Sequence, residues 1–185
     1  MDENNADLLS TEDKAQELAR GYFREGLNCS ECVLLAFMDT HETGMPPEIL
    51  ALSTGFGAGI GHTKNICGAI TGAVMALGLE KGRRNPFEAE TPRERAGELK
   101  EIYPTFGEMA NEIEARYGSL LCSEITGPLG DFEGRERRKN CQEIIGYCAK
   151  LASKYAEKKK RIRIKSGEIR QHKTAKKIFA VLYWQ

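Results

Sequence analysis

Residues 67–80 read C-G-A-I-T-G-A-V-M-A-L-G-L-E, and the fold turns on how that stretch is placed. It forms most of an apolar run of 14 residues, 66–79. A membrane-spanning helix needs about 20 such residues, so the length fits a buried core helix better. Small residues stand at 68, 69, 72, 73 and 76. Each glycine in a helix costs about 0.5–1 kcal/mol relative to alanine, so close packing against neighbours must be the compensation. The stretch therefore predicts the central helix of a compact, mostly α bundle. Just before it runs G-F-G-A-G-I-G, residues 55–61. No strand precedes those glycines and no acidic residue is suitably placed, which excludes a dinucleotide or P-loop reading. Their expected role is to let the backbone turn tightly and approach Cys67. Anion binding at the helix start behind them is a weaker alternative.

Outward from there the chain reads as helices with explicit punctuation. Ser10 precedes a segment with Ala15, Leu18, Ala19, Tyr22 and Phe23 at helical spacing, closed by Gly26. A second helix is expected from Asn28 to about Asp39, and a short third one opens at Pro46-Pro47. Thr91-Pro92-Arg93-Glu94 is a capping box with Pro at the first helical position. The helix it starts points toward Tyr117, and Pro104 predicts a break or kink near Tyr103. A polar loop is expected over 130–139, then a last long helix beginning at Asn140. In the tail, R-I-R-I-K alternates with the period of a strand and K-I-F-A-V-L-Y-W is β-prone, which suggests a short β segment.

Lys+Arg and Asp+Glu both number 27, so the mean charge is silent about partners. Its distribution is not. Residues 157–177 hold ten basic side chains against two acidic ones, a net +8, which leaves −8 elsewhere. Such a tail suits nucleic acid, a membrane surface or an acidic partner, and it suits a solvated linker equally well. The expected organisation is a helical cysteine-motif domain over 1–156 and a basic tail over 157–185. The acidic N-terminus lacks the layout of a signal peptide, which points to a cytoplasmic protein without a membrane span. Six cysteines in a reducing compartment then favour catalysis, redox sensing or metal binding over structural disulfides.

The cysteines share a context. Cys29 lies in N-C-S-E and Cys141 in N-C-Q-E, where Asn can cap a helix and Glu can complete the box. Cys67 follows Asn65 by two residues, and Cys122 lies in L-C-S-E without an evident cap. A sulfur in the first helical turn faces unpaired N–H groups and the positive end of the helix dipole. That setting lowers a thiol pKa, and the thiolate is the form that attacks disulfides or binds metals. The competing reading is packing, since free cysteine is commonly buried and inert. Cys32 sits one turn after Cys29, close enough for a disulfide and equally placed to be a buried helix residue. Cys148 lies seven residues after Cys141, roughly 10 Å along a helix, too far for a direct bond between those two. It reads as core, or as a partner for another helix. His62, five residues before Cys67, is a loop histidine that could serve as ligand or proton relay. Glu31, Glu124 and Glu143 are capping residues first and proton carriers second.

The run G-F-G-A-G-I-G…C-G-A-I-T-G, with G-L-N-C-S-E before it and L-C-S-E-I-T-G and N-C-Q-E-I-I after it, resembles the C-GCAxxG-C-C family of redox-active proteins. The resemblance covers roughly residues 15–155. Matched residue by residue, the family's four cysteines are Cys29, Cys67, Cys122 and Cys141, and its CGAxxG motif takes in Gly68, Ala69 and Gly72. It implies a small, soluble prokaryotic protein, often encoded near transporter genes, whose redox role is inferred. Cys32, Cys148 and the tail beyond about Ala156 lie outside the pattern.

Three functions are in contention. The first is thiol–disulfide exchange with a protein or small-molecule partner, centred on Cys67 with Cys29 or Cys122, Cys141 as a further partner, and no cofactor. If it turns over, the chain is an oxidoreductase. The second is an iron–sulfur cluster or zinc held by the four family cysteines. Spacings of 38, 55 and 19 residues lack the paired knuckles of zinc modules, which weighs against zinc more than against a cluster. The third is a thiol sensor or binding module whose basic tail faces an acidic partner. The small-residue helix and the apolar end of the tail make a homodimer reasonable.

Overall fold

The computed structural model describes residues 9–158, and six α-helices account for most of them. Helix α1, Thr11–Arg24, is capped by Ser10, whose hydroxyl accepts from the Asp13 amide; Gly26, at φ +96°, follows its end. Helix α2, Cys29–Thr40, starts on a full capping box between Asn28 and Glu31. Pro47–Phe56 forms the expected short helix, wound as 3-10. Helix α3 is Gly68–Lys81, with Cys67 as its N-cap residue. Helix α4, Pro92–Tyr117, begins on the Thr91–Glu94 box and ends at Gly118 in the left-handed conformation. A single turn, α5, covers Cys122–Thr126, and α6 is Arg135–Glu157.

Helices α1, α2, α3 and α6 form the bundle. Each packs on α2 or α6, and α4 lies outside against α3 and α6. Phe37, Leu34, Leu77, Ile144 and Ile145 fill the interior. The small residues of α3 do what their cost requires. A Cβ on Gly72 would fall 2.8 Å from the Ser30 carbonyl oxygen and 3.0 Å from the Val33 Cβ, so glycine sets how closely α3 approaches α2. No strand forms among the described residues; only an isolated antiparallel bridge joins Ile66 and Leu121. No helix among them is long and apolar enough to cross a membrane.

One expectation about helix bounds fails, and helix α4 continues through Pro104 without ending there. Proline cannot donate to the carbonyl one turn back, and Pro104 is exposed, where water can take that carbonyl. Helix α6 begins at Arg135 rather than Asn140, with Gly134 as its N-cap residue. Arg135, Glu136, Arg137, Arg138 and Lys139 are good helix formers and extend the helix by more than a turn. The β segment and the basic tail beyond residue 158 lie outside the described residues.

Candidate functional site

The four cysteines matched to the family motif come from four separate elements, and the charge influence of Cys29 and Cys122 reaches Cys67 and Cys141. Two backbone devices set Cys67 and Cys122. The Cys67 amide donates to the Leu120 carbonyl at 2.9 Å, and the Cys122 amide donates to the Asn65 carbonyl at 2.7 Å, on either side of the Ile66–Leu121 bridge. These bonds hold Cys67 and Cys122 each one residue beyond the bridged pair. Cys29 arrives on the first turn of α2. Asn28 accepts from the amides of Ser30 and Glu31, donates to the Thr54 carbonyl, and so ties that turn to the 3-10 segment. Gly68 leaves room for it: a Cβ there would sit 3.1 Å from the Cys29 Cβ and 2.7 Å from the Phe56 carbonyl oxygen. Cys141 comes from the second turn of α6.

The chain from 58 to 64 folds in an unexpected way. Ala58, Gly59, Ile60, Gly61 and His62 all have positive φ, between 51° and 74°, and Lys64 follows at 60°. Five consecutive left-handed residues, three with side chains, cost about 1–2 kcal/mol per non-glycine residue. The glycines at 59 and 61 take part of that load. The run ends with the Asn65 amide bonded to the Gly59 carbonyl, and it brings the Ala58 amide to the Cys29 sulfur.

Burial governs the thiols. It raises the Cys29 pKa, against a counter-pull from the Ala58 amide and from Arg137, while the Cys122 thiol adds to the rise. It pushes Cys67 up to about 12, with Cys29 and Cys122 pushing the same way and the amides of Ala69 and Ile70 opposing. Cys141 also rises to about 12, through burial and Cys29, with Arg137 opposing. The expectation of thiolates stabilised at helix starts is therefore overturned for these three. Desolvation of a charge outweighs the first-turn dipole. For Cys141 the premise fails too, because it lies inside α6, beyond the first turn, and Asn140 caps nothing. The influence of Cys29 also reaches Cys32 and Cys148.

All six cysteines are free thiols; Cys29 is half-buried, while Cys67, Cys122 and Cys141 are buried with 6% of their surface exposed. Cys32 is fully buried; its thiol donates to the Leu27 carbonyl at 3.5 Å, and burial pushes it up to about 12. Cys148 is fully buried in the core, within the influence of Cys67 and Cys29. Glu31 is occupied by the Asn28 amide and Thr54, Glu124 by the Ser119 hydroxyl, and Glu143 by Arg20. His62 stands beside the site, its ring 4.7 Å edge-on from Phe132. Among the described residues no group of three or more His, Cys, Asp or Glu side chains is arranged to hold a metal ion.

One residue at the site escaped the sequence reading. Arg137, one turn before Cys141, is only 9% exposed, and its guanidinium carbon lies 3.6 Å from the centre of the Phe132 ring. Its i, i+4 spacing to Cys141 was visible, but R-E-R-R-K reads as a solvated loop.

The family described as "Putative redox-active protein (C_GCAxxG_C_C)" matches residues 27–155. The chain belongs to this family. That span of the C-GCAxxG-C-C family contains all four clustered cysteines and both packing glycines, Gly68 and Gly72. The chain is also 24% identical over 147 residues to an uncharacterized protein of Archaeoglobus fulgidus, a stretch covering 75% of this chain and 91% of the relative. No solved structure matches.

Proposed function

We propose that the protein carries out thiol–disulfide exchange with Cys29 as the entry thiol. The observation that carries this reading is that of four free thiols from four elements, Cys29 is the most open. Cys29 also has two groups favouring its thiolate, the Ala58 amide and Arg137. It attacks one sulfur of a substrate disulfide, the S–S bond breaks, and the departing thiolate takes up a proton from solvent. A neighbouring thiol, Cys67 or Cys122, loses its proton and attacks the Cys29 sulfur, releasing the second substrate thiol. Two electrons pass to the substrate and an internal disulfide remains. A dithiol donor returns the protein to its starting state.

The test is mass spectrometry of anaerobically purified protein, native and then denatured with thiol alkylation. Mild oxidation with a disulfide is expected to remove 2 Da, leaving Cys29 and one of Cys67, Cys122 or Cys141 unalkylated. A bound mass lost on denaturation, with all six thiols then alkylated, would replace the reading with a metal or cluster centre.

A further inference from the structure

Resting on the disulfide-exchange reading, we infer that the substrate is an anionic disulfide, drawn to the cysteines by Arg137, Lys64 and Asn140 around Phe132. Arg137 carries the argument. A guanidinium removed from water is costly unless paired and hydrogen-bonded. Yet among the described residues no carboxylate pairs with it, and its buried Nε has no hydrogen-bond partner. The face of Phe132 lies against its guanidinium. Three residues further along α6, Asn140 has a second buried donor, Nδ2, without a partner. On a helix that spacing puts Arg137, Asn140 and Cys141 on adjoining positions of one face.

A second cation reaches the same ring from the other side of the site. The Lys64 Nζ lies 4.9 Å from the Phe132 centroid, and Lys64 itself is exposed at the end of the left-handed run. The Ser123 amide binds the Lys64 carbonyl, which ties this cation to the segment bearing Cys122. Glu31 and Glu124 bond the Asn28 amide, Thr54 and Ser119 rather than Arg137 or Lys64. Two cations and two unpartnered donors beside a partly open thiol suit a carboxylate or sulfonate on the substrate disulfide. A guanidinium receives such a group in planar, bidentate fashion.

The experiment measures second-order rates of Cys29 mixed-disulfide formation in the full-length protein. It uses one dianionic aromatic disulfide, 5,5′-dithiobis(2-nitrobenzoate), and one neutral one, 2,2′-dithiodipyridine. The expected result is that Lys64→Gln lowers the anionic rate at least about threefold and the neutral rate less than twofold, and that Arg137→Lys lowers the anionic rate more than the neutral one, with the preference fading in high salt as for any exposed charge attraction. Lys64 is exposed, so its variant keeps the inference testable if Arg137→Lys fails to fold. Equal loss of both rates would overturn the inference and make Arg137 a counter-ion of the thiol itself. Unchanged anionic rates in both variants would overturn it outright. If Cys29 of the parent protein reacts with neither probe, the exchange reading falls, which is a separate outcome.

Discussion

Three glycines of one helix show how much a single hydrogen can decide. At Gly72 an added methyl meets the backbone and Val33 of α2 at 2.8–3.0 Å, and none of those atoms can swing aside. Gly72→Ala is expected to cost about 1–3 kcal/mol in urea unfolding, the usual penalty of overpacking. At Gly78, in the same helix, nothing lies within 4 Å. Gly78→Ala should gain about 0.5–1 kcal/mol, because alanine loses less freedom on folding. Opposite signs from one substitution would fix the CGAxxG glycines as packing devices; a cost at both sites would attribute the effect to the helix. Gly68→Ala should additionally change the Cys29 alkylation rate, since its methyl would press on the Cys29 Cβ. The requirement for small residues was legible in the sequence from the helix's entropic cost. Which neighbour they admit was not, because that depends on a partner more than 30 residues away.

At the scale of elements, the two helices that start cysteine motifs divide. N-C-S-E at 28–31 is a true capping box, and N-C-Q-E at 140–143 is not, although the residue types agree. Capping is decided by what precedes the Asn. Leu27 interrupts a chain turning out of Gly26, whereas Arg135–Lys139 already propagate a helix, and adding residues to an existing helix is cheaper than nucleating a new one. The left-handed run at 58–62 was illegible for a different reason. Glycines at 57, 59 and 61 announce freedom of φ but do not say that Ala58, Ile60 and His62 share it. Ile60 is 42% exposed, so its side chain contributes little burial to set against a left-handed, β-branched backbone. Ile60→Gly is expected to raise stability by roughly 1 kcal/mol. Circular dichroism with urea titration reads it directly; destabilisation would mean that Ile60 packs in a way that outweighs its strain.

For the whole molecule, a partly exposed ion pair and buried thiols set the pH range of the fold. Helix α4 is tied to α6 through Glu112, which accepts from Lys154 at 2.8 Å and from the Tyr155 hydroxyl at 2.8 Å. The Lys154 bond is the main reason its pKa is lowered from 4.5. A depressed carboxyl contributes stability that is present above its unfolded value and lost as pH falls through the folded one. The fold should therefore weaken below pH 4.5, and Glu112→Gln should flatten that limb. The effect stays under about 1 kcal/mol because the pair is open to water.

The alkaline limb belongs to the buried thiols, Cys67 and Cys141 as well as the two that the site does not use. Cys32 is raised from 9 to about 12 and Cys148 well above 9, both by burial. When the chain unfolds these thiols lose their protons at about pH 9, while the folded protein keeps them. The unfolded state then binds fewer protons, and stability falls as pH climbs past 9. Tyr22, Tyr117 and Tyr155 are displaced from 10 to about 12, so their contribution enters only nearer pH 10. Between pH 9 and 10 the slope is mainly that of the buried cysteines. Under anaerobic reducing conditions the urea midpoint is expected to drop across that interval, and less steeply in Cys148→Ala, whatever that variant's absolute stability. A slope unchanged by the substitution would mean that Cys148 ionises as readily in the folded protein as out of it, against its place in a core with no surface open to water.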